Sequence, residues 1–126
     1  MKRFSALVLV AVVVACLSGG CGGGEKIYTD SSKTIVTRVG QEFTIALDSN
    51  PTTGYTWQET HDVVFLSLQE DRYEPDEKAE GLVGAGGTQY YRYKAVRKGQ
   101  VELRLFYLRP WEEETIEETV FRVVIK

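Results

Sequence analysis

From Lys33 to Lys126 the chain is written in short alternations of apolar and polar side chains, cut at intervals by Gly, Pro and Asn. A period of two sends successive side chains to opposite faces of a strand, whereas a helix needs apolar residues three and four apart. Phe43, Ile45 and Leu47 alternate with Glu42, Thr44 and Ala46. Tyr91, Tyr93 and Ala95 do so with Arg92 and Lys94, and Val101, Leu103, Leu105 and Tyr107 repeat the pattern before Pro110 stops it. Thr34 to Val39, Val63 to Leu68 and Phe121 to Ile125 supply further strands, and Lys98-Gly99-Gln100 predicts a hairpin turn. Asp71 to Glu80, dense in charge and holding Pro75, predicts a solvated loop. The expected fold is all-β, an immunoglobulin-like antiparallel sandwich of about seven strands, with Trp57 at the centre of its core.

The first residues follow other rules. Met1-Lys2-Arg3 precedes an uninterrupted apolar run from Ser5 to Ala15, the n- and h-regions of a secretion signal, and the run is too short to span a bilayer comfortably. The only two cysteines, Cys16 and Cys21, lie just beyond it and have no partner in the folded part. Val13-Val14-Ala15-Cys16 is similar to a lipobox, whose cysteine becomes the lipid-bearing N-terminus; Ser18-Gly19-Gly20-Cys21 is a looser match, favoured by Gly22-Gly23-Gly24. The expected organisation is a signal over residues 1–15 (or 1–20), a lipid anchor and glycine-rich tether over 16–29, and one domain over 30–126. Such a protein is exported and held on the outer face of the cell membrane, or on its periplasmic side. A soluble secreted protein is the rival reading.

Without Lys2 and Arg3 the chain carries 13 basic residues against 18 acidic ones, a balance of −5. No Lys/Arg cluster is longer than Arg97-Lys98. This argues against nucleic acid or anionic lipid as a partner, leaving the membrane to be met through the N-terminal lipid alone. Catalysis fails on inventory: His61 is the only histidine, no cysteine lies within the fold, and no nucleophile elbow surrounds any serine. His61-Asp62 reads as an exposed turn. Asp71 to Glu77 lacks the spacing and glycine of a calcium loop, so neither metal nor cofactor is expected. Glu112-Glu113-Glu114 and Glu117-Glu118 read as a solvated face and edge-strand protection.

Three connections carry unusual residues. In Asn50-Pro51-Thr52-Thr53-Gly54-Tyr55, Pro51 fixes φ, Asn50 bonds locally and Gly54 can take positive φ, while Thr52 and Thr53 place compact side chains at a stiffened tip. Gly84-Ala85-Gly86-Gly87-Thr88 offers backbone for close approach, and as a phosphate cradle it is weak because a strand, not a helix, follows. Arg109-Pro110-Trp111 joins a rigid turn to two side-chain types enriched in binding hot spots. In a seven-stranded immunoglobulin-like sandwich these are the B–C, D–E and F–G connections, which share one end and so describe a protein-binding surface.

Asn-Pro-Thr-Thr-Gly-Tyr-x-Trp at 50–57, Gly-x-Gly-Gly-Thr at 84–88 and Arg-Pro-Trp at 109–111, in that order, resemble the chagasin family. The resemblance covers Lys33 to Lys126. It implies a monomeric, reversible, tight-binding inhibitor of papain-family cysteine peptidases, with Thr52 and Thr53 entering the catalytic centre and the other two segments gripping its sides. Tyr90-Tyr91-Arg92-Tyr93 departs from the phenylalanine or tryptophan that often follows the glycine motif. The alternative is a non-catalytic surface lipoprotein that recognises an envelope protein or carbohydrate through the same loops.

Overall fold

The alternating registers predicted from the sequence converge on one core. A computed structural model describes residues 26–76 and 86–126, so Gly84, Ala85, Cys16, Cys21 and the signal segment lie outside the described residues. Eight strands are present among those described: β1 (Ile27–Tyr28), β2 (Ile35–Thr37), β3 (Glu42–Ser49), β4 (Thr56–Thr60), β5 (Leu66–Pro75), β6 (Gly87–Ala95), β7 (Gly99–Leu108) and β8 (Thr115–Ile125). They form two four-stranded sheets, ordered β1-β3-β6-β5 and β2-β8-β7-β4. Phe43 and Ile45 of β3 and Tyr93 of β6 face Ile35, Leu103, Leu105, Phe121 and Val123 of the second sheet, and none of these is more than 1 % exposed. At roughly 1.5–3 kcal/mol for each large apolar side chain taken from water, this layer is the main favourable term of the fold.

No disulfide joins the described parts of the two sheets; tyrosines do. Tyr91 Oη donates to the Trp57 carbonyl (3.1 Å) and Tyr93 Oη to Glu59 Oε2 (3.0 Å), each reaching from β6 to β4. Burial, with the Glu59 carboxylate as a further cause, pushes the Tyr93 phenol far above its ordinary range, so it remains a donor throughout the neutral range.

Several sequence expectations need correction. The sandwich is mixed, because β1 runs parallel to β3 and β2 parallel to β8. Ile27 and Tyr28, assigned to the tether, pair with β3, and Tyr28 packs edge-on to Phe43. Residues 71–75 are not loop but the second half of β5, paired with β6 from Asp71↔Tyr91 to Pro75↔Gly87. As an outer strand β5 tolerates both the charges and a terminal proline. Val63, Val64 and Phe65 precede the strand instead of starting it. Gly99 marks no hairpin: β6 and β7 lie in different sheets, and the link crosses between them with Gly99 against the Phe65 ring. Trp57 is buried, but at the loop end of the core, where its indole N–H donates to the Asp48 carbonyl at 2.9 Å.

Candidate functional site

The β3–β4 and β7–β8 connections and the start of β6 meet at one end of the sandwich. Pro51, with its φ preset, opens a single 3₁₀ turn over Pro51–Thr53. The Thr53 N–H donates to Asn50 O (3.1 Å) and the Gly54 N–H to Pro51 O (2.9 Å), and Gly54 closes the turn at φ +88°. Asn50, which precedes a proline and cannot be a glycosylation acceptor, works inside the loop. Its side-chain oxygen accepts from the Thr52 hydroxyl, its carbonyl from the Thr53 hydroxyl at 2.7 Å, and its N–H donates to Tyr107 Oη at 3.0 Å. Both threonine hydroxyls are therefore donated inward, although Pro51, Thr52 and Thr53 are all exposed. The tip is stiffer and less polar than its composition suggests.

Arg109 locks this loop from the side. Its Nε donates to the Thr53 carbonyl (3.1 Å), its Nη1 pairs with Glu112, and its guanidinium lies 4.3 Å from the Tyr55 ring centroid. Tyr55 stacks on Tyr107 at 5.4 Å, and Tyr107 meets Trp57 at 4.8 Å. A column thus runs from a surface cation through three aromatic rings into the core, transmitting the rigidity of the sheets to the tip. Trp111 is 70 % exposed, yet its ring rests on Gly54, where a methyl group would lie 2.5 Å from Cη2. Glycine at 54 is required twice, by positive φ and by the indole above it.

The glycine segment is partly strand. Gly87 and Thr88 belong to β6, opposite Ser49 and Asp48, and a side chain at Gly87 would strike the Glu74 carbonyl and the Tyr73 hydroxyl. Gly87 is therefore buried for a packing reason. Gly86 stands beside Ser49 and Asn50, and its carbonyl accepts from the Asp76 N–H at 3.1 Å, which brings the described part of this connection to the same end. Pro110 and Trp111 form the exposed turn closed by the Glu112 N–H on Arg109 O.

Sequence reasoning missed Tyr107 as the residue that ties the loop to the core. The signal was present: it is the last inward position of β7 and the only one with a polar tip. His61 is also misplaced by the sequence. It is not an exposed turn but sits with its ring about 15 % exposed, Nδ1 2.9 Å from Glu59 Oε2 and its edge toward Tyr93. Its hydrogen-bond partner is a carboxylate, not a serine.

Residues 36–125 match the family described as Chagasin family peptidase inhibitor I42. The chain belongs to the chagasin family of peptidase inhibitors. It is 31 % identical over 99 residues to chagasin of Trypanosoma cruzi, covering 74 % of this chain and 87 % of that one. Among solved structures it is similar to the cysteine protease inhibitor EhICP2 from Entamoeba histolytica, with a TM-score of 0.68, 27 % identity, and coverage of 80 % of this chain and 95 % of that one. It shares its fold with PbICP-C, solved in complex with falcipain-2, at a TM-score of 0.58 and 15 % identity over 82 % of this chain and all of that one. The relatives in this family are inhibitors, not enzymes, in keeping with the lack of a catalytic inventory in the sequence.

Proposed function

We propose that this member inhibits papain-like cysteine peptidases reversibly, as a monomer, by seating its loop end in the active-site cleft. The observation that supports this most is the interlock of Gly54, Trp111, Arg109 and Thr53, which holds the tip in one shape before any partner arrives. Preorganisation lowers the entropy lost on binding, so a small tip can bind tightly. Thr52 and Thr53 would enter the catalytic centre, with Asn50, Pro51, Gly54 and Tyr55 shaping the loop. Arg109, Pro110 and Trp111 would grip one side of the cleft and Gly84, Gly86, Gly87 and Thr88 the other. A 3₁₀ turn closed by a left-handed glycine is not extended as a scissile peptide is, so occupancy excludes substrate without cleavage. That PbICP-C is solved with falcipain-2 supports the same class of partner here.

The sequence further supports export and lipid modification at Cys16 or Cys21, holding the domain on the outer face of the membrane through a tether. Radiolabelled fatty acid incorporated by the expressed full chain, and lost with Cys16→Ser or Cys21→Ser, would identify the anchor. Inhibition is tested by titrating residues 26–126 into papain during hydrolysis of a fluorogenic peptide. A stoichiometric, reversible loss of activity is expected; full activity at micromolar inhibitor would refute the reading.

A further inference from the structure

Six cations far apart in sequence, Lys26, Arg38, Lys94, Arg97, Lys98 and Lys126, are exposed at the end of the sandwich opposite the loops. The backbone brings them together. The Val39 N–H donates to Lys126 O (3.2 Å), the Gly40 N–H to Ala95 O (2.7 Å), the Val96 N–H to Phe65 O (2.9 Å) and the Thr44 N–H to Lys26 O (2.9 Å). Lys26, Arg38 and Lys126 line one groove of about 430 Å³. Elsewhere Arg72, Arg92, Arg104 and Arg109 each pair with a glutamate, but none of these six makes an ion pair among the described residues. Glu42 stands opposite Lys94 across the β3–β6 pair, without an ion pair between them, and the Asp62 side chain already accepts from the Val64 N–H. Exposed Val39, Val63, Val64 and Val96 are interleaved with the charges, Val63 being 74 % exposed.

Because β1 runs parallel to β3, the chain preceding Lys26 leaves from this same end, and Cys21 lies only five residues before Lys26. We propose that this basal end is a docking surface for a bilayer containing anionic phospholipids, with the cations meeting headgroup phosphates and the valines reaching into the interfacial layer. Cations alone would suit any polyanion; the apolar residues among them and the departing N-terminal segment single out a membrane. The balance of −5 that remains without Lys2 and Arg3 conceals this surface, because it averages these cations with acidic runs such as Glu112-Glu113-Glu114 and Glu117-Glu118. The proposal takes its orientation from the anchor reading above but is testable without the anchor. Docked this way, the loop end faces away from the lipid.

Residues 22–126 contain both sheets and the whole described core but neither cysteine, so this segment keeps every described contact and lacks the anchor. Its sedimentation is followed with vesicles of phosphatidylcholine alone and of phosphatidylcholine mixed with phosphatidylglycerol. It should bind only the mixed vesicles and be released near 1 M salt, where the screening length falls to about 3 Å. Arg38→Glu, Arg97→Glu and Lys98→Glu together should weaken partitioning at least about tenfold, while the charge-matched Lys33→Glu, Arg72→Glu and Arg104→Glu should change it by less than about threefold. No binding to mixed vesicles, equal binding to neutral ones, equal loss in both variants, or equally tight binding to a DNA duplex would overturn the proposal. A thermal melt of the same proteins reports folding, and papain inhibition separates the two readings. If the unmodified segment binds vesicles but not papain, the peptidase reading falls and this one stands.

Discussion

Gly54 and Gly40 offer a matched pair that isolates loop shape from general stability. Both have positive φ, +88° and +92°, so Gly→Ala strains each backbone alike, by about 1–2 kcal/mol for a left-handed residue. They differ in surroundings and place. At Gly40, at the basal end, a methyl group meets nothing within 4 Å; at Gly54 it would lie 2.5 Å from Trp111 Cη2 and 3.0 Å from Cζ2. Gly40→Ala should therefore lower stability by about 1–2 kcal/mol, a fall in Tm of about 4–8 °C per kcal/mol for a domain of this size, and leave inhibition unchanged. Gly54→Ala can relax by turning the exposed loop away and swinging the indole aside, so its stability loss should be no larger. Binding must then restore the left-handed shape, a penalty of up to about 1–2 kcal/mol, or roughly 5–30-fold in affinity, before any loss of Trp111 contact. The assay is the papain inhibition constant for each variant beside its thermal melt. Inhibition by Gly54→Ala within twofold of the unmodified protein, or an equal weakening by Gly40→Ala, would refute the argument that the tip acts through its preset shape.

Other outcomes follow from the same geometry. Trp111→Ala removes an exposed ring and should leave the melt within about 0.5 kcal/mol while weakening inhibition by about 30-fold or more, as hot-spot truncations do. Gly87→Ala should do the reverse, failing to fold or losing several kcal/mol in a denaturant melt, because a methyl there meets backbone that cannot yield. Tyr93→Phe deletes the cross-sheet bond to Glu59 and should cost about 1–3 kcal/mol in urea unfolding, though Glu59 keeps His61. The raised phenol of Tyr93 also sets an alkaline limit. Its folded form stays protonated where the unfolded chain ionises, so its contribution to stability is constant below about pH 10 and then falls by about 1.4 kcal/mol per pH unit; Tyr91, also raised by burial, adds a like slope, and Tyr93→Phe should remove only its own share.

Much of the molecule could be read from alternation, and the misreadings have physical causes. The inward registers of β6, β7 and β8 were legible because one buried face forces strict period two, whereas β3 is buried on both faces from Phe43 to Leu47, so Thr44 and Ala46 are not the solvated positions that its alternation implied. Alternation does not say which sheet a strand joins, so the crossover at Gly99 looked like a hairpin. The charges of residues 70–74 imitate a loop because an outer strand sheds water on one face only. Val63 and Val64 imitate a strand because apolar sequence cannot report exposure. At the candidate site, the three motifs foretold that their described parts share one end of the sandwich, but not that both threonine hydroxyls turn inward or that Gly87 serves packing. The basal cations were invisible as a group since only Arg97 and Lys98 are adjacent in the chain.

The seating of Trp111 on Gly54, with Arg109 reading the Thr53 carbonyl, has a consequence for anyone who would retarget this inhibitor. The β3–β4 and β7–β8 connections are two halves of one part. Transplanting either alone onto a relative would leave an indole without its shelf or a guanidinium without its acceptor. Diversification of target range in such a scaffold should then proceed by paired exchange, and libraries that vary the two connections together should yield binders where single-loop libraries stall.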